Sequence, residues 1–267
     1  MSFKISAIVN TLNRQDILTE CLHSLAVQPN LVEIIVVDDG STPAVIKHKL
    51  MDKLIRLDKT VGVAASRNIG AKAASKASTH LFFTDDDIFL DPNCFNVLCT
   101  PQIWSDKKVV ATGGSVPNMN VPDFIDNKWR YVVRPMAINY WGEIVDLSEY
   151  WCDEWEWWFA DHIRGGNQLI DHVQFVKIGG FPTCYGPGGF REETDFCLML
   201  REKGFKLMFN PCARAYHYKR TYGGVREHQD KDKAYDKIFR ERWASKHFLG
   251  EERKYPPILA VRRGRRK

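Results

Sequence analysis

The chain has no run of some eighteen consecutive apolar residues, so no segment reads as a membrane-spanning helix. Its opening, Met-Ser-Phe-Lys-Ile, has no basic stretch followed by an apolar core, and a secretory signal is not expected there. The seven cysteines (21, 94, 99, 152, 184, 197 and 212) form an odd set without a Cys-x-x-Cys pair. That set fits reduced core thiols in a cytoplasmic protein better than a disulfide framework or a zinc site. Neither G-x-x-x-x-G-K-[ST] nor G-x-G-x-x-G follows the first predicted strand, which weakens phosphate-loop and dinucleotide-dehydrogenase readings. No repeat or low-complexity segment occurs apart from a basic end. Lys and Arg outnumber Asp and Glu by 38 to 33, but Arg262, Arg263, Arg265, Arg266 and Lys267 stand together at the extreme C-terminus. The remainder is near neutral, which argues against a nucleic-acid-binding surface spread over the fold.

What is present is a core-forming composition, 44% apolar over 267 residues, enough for one α/β domain with an appendage. The first hundred residues alternate strand and helix patterns. Ile5 to Val9 reads as a strand, and Asp16 to Val27 as an amphipathic helix with Ile17, Leu18, Leu22 and Leu25 on one face. Glu33 to Val37 is a continuously apolar strand, as a parallel sheet covered on both faces requires, and Leu54 to Leu57 is a weaker third. Gly62 to Lys76 is Ala-rich and helical, and His80 to Thr84 is a fourth strand. Such a βαβ series predicts a nucleotide at the C-terminal strand ends.

The polar residues gather at those ends. Asn10 to Arg14 follows the first strand, Asp38-Asp39-Gly40-Ser41 the second and Asp85-Asp86-Asp87 the fourth. Three adjacent carboxylates repel one another and resist desolvation, so a divalent cation or a polyhydroxyl ligand is one explanation for them. A solvated turn before the helix expected near Pro92 is the other. Asp38 and Asp39 could likewise be turn formers before Gly40, with Arg67 on a helix surface.

Beyond residue 100 the alternation breaks down. Val109 to Val116 is strand-like, and Pro117 to Ala160 is irregular and rich in aromatics and acids. Asp171 to Ile178 and Glu192 to Lys203 are expected helices, the second ended by Gly204, and Phe205 to Phe209 and Arg214 to Tyr218 are expected strands. Asp230 to Phe248 is a charged amphipathic helix leading to the tail.

Six segments, in order, resemble the inverting family 2 glycosyltransferases of the GT-A fold: Val-Asn-Thr-Leu-Asn-Arg, Ile-Ile-Val-Val-Asp-Asp-Gly-Ser-Thr, Gly-Val-Ala-Ala-Ser-Arg-Asn-Ile-Gly, Phe-Phe-Thr-Asp-Asp-Asp, Phe-Val-Lys-Ile-Gly-Gly-Phe and Glu-Glu-Thr-Asp-Phe-Cys-Leu-Met-Leu-Arg-Glu-Lys-Gly. The similarity runs from about Ile5 to Tyr218. It implies a mixed, mostly parallel central sheet flanked by helices, in a single domain over residues 1–220. Residues 1–100 would bind the nucleotide sugar, 101–220 would form the acceptor-binding and catalytic half, and 221–267 a C-terminal helical extension and basic tail.

The resemblance also implies roles. Asp39 would hold the donor's base in a pocket lined by Thr11, Asn13 and Arg14, and Arg67 would reach base or phosphates. Asp85 or Asp86 would contact ribose. Asp87, with Asp85 and His217 as further candidates, would hold Mn²⁺ or Mg²⁺; for His217 a packing or surface role is the alternative. Glu193 aligns with the catalytic base, although the family more often has Asp there, and Glu192 remains open. Acids in a helix's first turn also complement its dipole, the simpler role expected of Asp195. Gly166, Asn167, Gly180 and Trp158 fall around the expected acceptor cleft, although most of the tryptophans from 151 to 158 are expected to pack beneath a loop. The implied partners are a nucleoside diphosphate sugar and a glycan or lipid-linked acceptor, with no nucleic acid. The basic tail is either a peripheral contact to anionic membrane or a solubilising end. Two rivals remain: a nucleotidyltransferase, which would want a glycine-rich loop where Asn10 to Arg14 has none, and a catalytically silent binding module.

Overall fold

The computed structural model describes residues 2–117, 136–138, 144–146, 157–224 and 232–243. The N-terminal half is built as β1 (Ile5–Thr11), α1 (Gln15–Ala26), β2 (Leu31–Asp38), β3 (Lys53–Arg56), α2 (Val63–Ala73) and β4 (His80–Asp85). Strands β3, β2, β1 and β4 are adjacent and parallel, which is why their apolar runs are continuous rather than alternating. Helix α1 buries Leu18, Cys21, Leu22 and Leu25 against one face of the sheet. Helix α2 covers the other face, and Gly70 lets it approach closely: a methyl added there would stand 3.1 Å from Val37 Cγ2 and nearer still to Ile8. In register, Asn10 lies opposite Asp85 and Thr11 opposite Asp38. The polar strand exits therefore share one edge of the sheet.

The chain then forms β5 (Ile88–Leu90), the short helices α3 (Cys94–Leu98) and α4 (Pro101–Trp104), and β6 (Val109–Ser115). After the hairpin strands β7 (Met136–Ile138) and β8 (Ile144–Asp146) come β9 (Trp158–Ala160), β10 (Gln168–Asp171), α5 (His172–Ile178), α6 (Glu192–Glu202), β11 (Lys206–His217) and α7 (Asp232–Trp243). The main sheet runs β3-β2-β1-β4-β10-β6-β11-β5, with β9 also paired to β11. Strand β10 is antiparallel to both neighbours, whereas β6 and β11 are parallel. The expectation of a mixed, mostly parallel sheet flanked by helices is met.

Several boundaries differ from the sequence reading. Phe205–Phe209 and Arg214–Tyr218 are not separate strands: β11 is one strand whose register with β6 shifts between Asn210 and Arg214, around Pro211, which has no N–H to give the ladder. Strands β5, β9 and β10 are too short to show a period. The helix expected to begin near Pro92 is α3, starting at Cys94. Helix α5 opens with Asp171 Oδ1 accepting from Gln174 N at 2.8 Å and closes with Gly179 in the left-handed region. The tryptophans and acids at 151–156 and the basic residues at 262–267 lie outside the described residues. Helix α7 packs Tyr235, Phe239 and Trp243 with Tyr185 and Leu198, so the extension shares a core with α6. No helix among the described residues is long and apolar enough to cross a membrane.

Candidate active site

At the shared strand edge lies a cavity of about 270 Å³, whose lining includes Thr11, Arg14, Asp39, Arg67, the three aspartates at 85–87, Glu192, Glu193 and His217. The aspartates have diverged in environment. Asp85, the most exposed, accepts from Arg67 Nη2 at 2.8 Å. Asp86 is buried and accepts from Thr11 Oγ1 at 2.6 Å and Arg14 Nη1 at 3.1 Å. Asp87, also buried, receives the same Arg14 nitrogen at 2.7 Å, and its Oδ2 lies 3.3 Å from His217 Nε2. Burial, reinforced by Asp87 and opposed by Arg14, pushes the Asp86 carboxyl up to about 7.

Two buried arginines offset this concentration of acid. Arg14 stands just before α1 and also donates to the carbonyls of Tyr222 and Gly223, at 2.9 and 3.0 Å, fastening the segment after β11 over the cavity. Burial disfavours its charge, yet Asp86 and Asp87 hold its pKa above the ordinary arginine value. Arg67, on α2, donates to Asp85, to Glu193 Oε1 at 2.8 Å and to Asn10 Oδ1 at 3.3 Å. Its planar fork joins three polypeptide segments that meet only in the fold.

Asp39 lines the cavity while both its oxygens accept backbone N–H groups, from Val61 at 2.8 Å and Gly62 at 2.9 Å, just ahead of α2. Asp38 is a turn former: its carboxylate accepts from Ser41 N and Val45 N and pairs with Arg56. The sequence thus places two adjacent aspartates in two different tasks.

A second cavity, of about 480 Å³, adjoins the first and shares Asp85, Glu192, Glu193 and His217 with it. Glu192 and Glu193 open α6, where the exposed N–H groups of a helix N-terminus favour negative charge. They are unequal. Glu192 is only 1% exposed, one of its oxygens lacks a partner, and burial with the nearby Glu193 charge pushes it up to about 8. Glu193 is more exposed; burial opposes its charge, but Arg67 holds it below the usual carboxylate range. Gly165 passes so close that an added methyl would overlap the Glu193 carboxylate. His162 is buried beside this acid and pushed down to about 4 by desolvation, so its imidazole is neutral at physiological pH.

Among the residues expected to face the acceptor, Gly166 lines the second cavity. Asn167, Gly180 and Trp158 line neither. Asn167 is fully buried and donates to the carbonyl of Ala213 at 2.9 Å; Gly180, just past the end of α5, donates its N–H back to the carbonyl of Phe175 at 3.1 Å; Trp158 lies in the core opposite Phe209. Asn13 also lies outside the first cavity, its Oδ1 accepting from Thr42 N at 2.7 Å. Asp195 lies in the first turn of α6, where it is buried, accepts from Tyr185 Oη at 2.6 Å and pairs with Arg242 Nε of α7 at 3.1 Å. Residues that the sequence reading did not single out for a role at the site are Asn10, Thr60, Lys219, His162, Arg164 and Arg191. Asn10 sat inside a quoted motif; the others carry no local signal.

Among the described residues no group of three or more His, Cys, Asp or Glu side chains is disposed as a ready-made metal site. The donor set nevertheless fits a hard cation of the Mg²⁺ or Mn²⁺ kind. Asp87 and His217 converge within hydrogen-bonding distance at the cavity wall, and such ions take one or two carboxylates together with substrate phosphate oxygens rather than a protein cage.

The mostly parallel sheet thus carries an acidic crevice at the C-terminal ends of its strands. Residues 6–170 match the model of glycosyl transferase family 2, and the chain belongs to that family. It is 37% identical over 257 residues to the uncharacterized glycosyltransferase YwdF of Bacillus subtilis strain 168, covering 93% of this chain and 85% of that one. It is 28% identical over 204 residues to an N-acetylglucosaminyltransferase of Azorhizobium caulinodans; there the match covers 74% of this chain but only 44% of the relative. Among solved structures, GalNAc-T7 with UDP, GalNAc and Mn²⁺ superposes with a TM-score of 0.64 at 20% identity, covering 81% of this chain and 43% of the other.

Proposed function

We propose that the chain transfers a sugar, with inversion, from a nucleoside diphosphate sugar to a hydroxyl of a glycan or lipid-linked acceptor. The observation that carries this reading is the meeting of two cavities at one set of carboxylates. A donor in the first and an acceptor in the second would face each other across Asp85, Glu192 and Glu193. In the reaction the acceptor oxygen attacks the anomeric carbon, a new C–O bond forms as the bond to the diphosphate breaks, and the hydroxyl proton passes to a base.

Glu193 is the base in this account. It is the more exposed of the pair, it is kept ionised by Arg67, and it borders both cavities. Its pKa is held down, so the proton would pass to it as the attacking oxygen gains positive character rather than from the free hydroxyl. Glu192, holding its proton near neutrality, would donate a hydrogen bond rather than accept a proton. Asp39 and Thr11 border the donor side, and Arg67 would supply positive charge there. A divalent cation held by Asp87 and His217 would neutralise the charge that develops on the leaving diphosphate. The described cysteines are all free, which suits a cytoplasmic site of action.

The test is transfer from the chain's own donor, with the anomeric configuration of the product read by NMR. Inverted product from wild type, and kcat reduced about 10²–10⁴-fold in E193Q with donor binding preserved, is the expected outcome. Retained configuration, or wild-type turnover by E193Q, would overturn it.

A further inference from the structure

The family resemblance assigns Arg67 to the donor, yet its side chain is taken up by the protein. Arg67 borders the first cavity but is only 1% exposed. Each of its three nitrogens has a partner: Nε donates to Asn10 Oδ1 at 3.3 Å, Nη1 to Glu193 Oε1 at 2.8 Å and Nη2 to Asp85 Oδ1 at 2.8 Å. Glu192 Oε1 stands 3.7 Å from Nη1. Asp85 and Glu193 are the accessible ends of this arrangement, their side chains being 34% and 23% exposed. A ligand therefore meets these carboxylates rather than the guanidinium.

Two further features hold the pair together. The guanidinium lies over the Phe181 ring, its carbon 5.7 Å from the ring centre, and that ring is itself packed by Phe83, Phe175 and Phe196. Gly165 leaves the room that the contact needs: a methyl there would overlap the Glu193 carboxylate and stand 2.6 Å from Arg67 Nη1.

We propose that Arg67 is a positioning residue for the transfer step: it fixes the direction of the Glu193 carboxylate and ties it to Asp85 on the donor side, and it does not itself bind the donor. The inference rests on Glu193 being the base of the proposed transfer. Arginine suits the task because its planar fork can hold two carboxylates in set directions, whereas lysine offers a single point charge. A catalytic group misplaced by about 1 Å can lose about 10²-fold in rate while the substrate still binds.

The experiment compares R67K, G165A, E193Q and the R67K/E193Q double variant with wild type, in the full chain with Mn²⁺. Two quantities are read: kcat at saturating donor and acceptor, and Kd for the nucleoside diphosphate that stabilises the protein. R67K keeps the charge but removes the fork, and is expected to lose about ten-fold or more in kcat while Kd changes by less than about three-fold. In the E193Q background the same substitution should cost at most about two-fold, because the group it acts through is gone. G165A displaces the carboxylate from an intact arginine, at a residue outside the left-handed backbone region, and should repeat the loss in kcat even if R67K fails to fold. A Kd weakened about ten-fold or more in R67K with kcat unchanged would make Arg67 a donor ligand and overturn the proposal. Wild-type kcat in G165A, or a loss from R67K as large in E193Q as in wild type, would overturn it too. Wild-type turnover by E193Q alone is a distinct result: it sinks the base assignment itself, and this proposal with it.

Discussion

Neighbouring acids at this site differ in charge because they differ in burial and in their arginine partners, and that difference makes their roles separable. In E192Q the amide replaces a carboxyl that is already protonated near neutrality, so its loss of turnover should stay within about ten-fold, against the far larger loss in E193Q. The same residue gives a stability signature. The folded pKa of Glu192 is raised to about 8 from about 4.5, so between these values the unfolded chain releases a proton that the folded chain keeps. Stability from this group is therefore lost as pH rises through that window. Thermal melts should show E192Q gaining on wild type from pH 5 to pH 8; a difference independent of pH would contradict the assignment. His80 and His162 act in the opposite sense, since burial lowers both to about 4 and the contribution of each falls as pH drops below about 6.5. Much of this was legible in the sequence where a residue ends a strand or opens a helix, because the parallel register fixes where such ends point; Asp39, Asp85 to Asp87 and Glu193 are of that kind. It was not legible where a side chain chose a backbone partner instead: Asn13 turned to Thr42 N, and Asn167 to the carbonyl of Ala213.

Among the elements, α2 and α7 each hold the N-terminal turn of α6. Helix α2 carries Arg67 and can lie close to β1 and β2 only because residue 70 has no side chain; G70A should destabilise the fold by about 1–3 kcal/mol in urea titration through overpacking against Ile8 and Val37. Helix α7 fixes the first turn of α6 through Asp236 on Arg191 and Arg242 on Asp195, over the Tyr185, Phe239 and Trp243 core. F239A should cost about 3–5 kcal/mol, and milder disruption by D236N should raise the acceptor KM more than the donor KM. Equal effects on both substrates would deny α7 a share in the acceptor side. The helices and central strands were readable from apolar period. Strands β9 and β10 were not, because each is three or four residues long and is ordered by its neighbours in the sheet. With β10 inserted antiparallel between β4 and β6, the loop carrying His162, Arg164 and Gly165 comes to the carboxylates, and nothing local in those residues announces it.

Across the whole molecule, the concentrated charge of the crevice describes one device: buried acids from separate segments, balanced by Arg14 and Arg67. That balance explains how three consecutive aspartates persist at the end of a buried strand. The central claim is that this crevice binds a nucleoside diphosphate through a divalent cation. The most direct test is a thermal-shift panel of nucleoside diphosphates with Mn²⁺ or with EDTA, on wild type and D87N. The account predicts stabilisation by one base in preference to the others, of about 2.7 kcal/mol at a hundred-fold excess over Kd, present with Mn²⁺ and lost with EDTA and in D87N. Stabilisation by no nucleotide, or the same stabilisation with EDTA and in D87N, would contradict it.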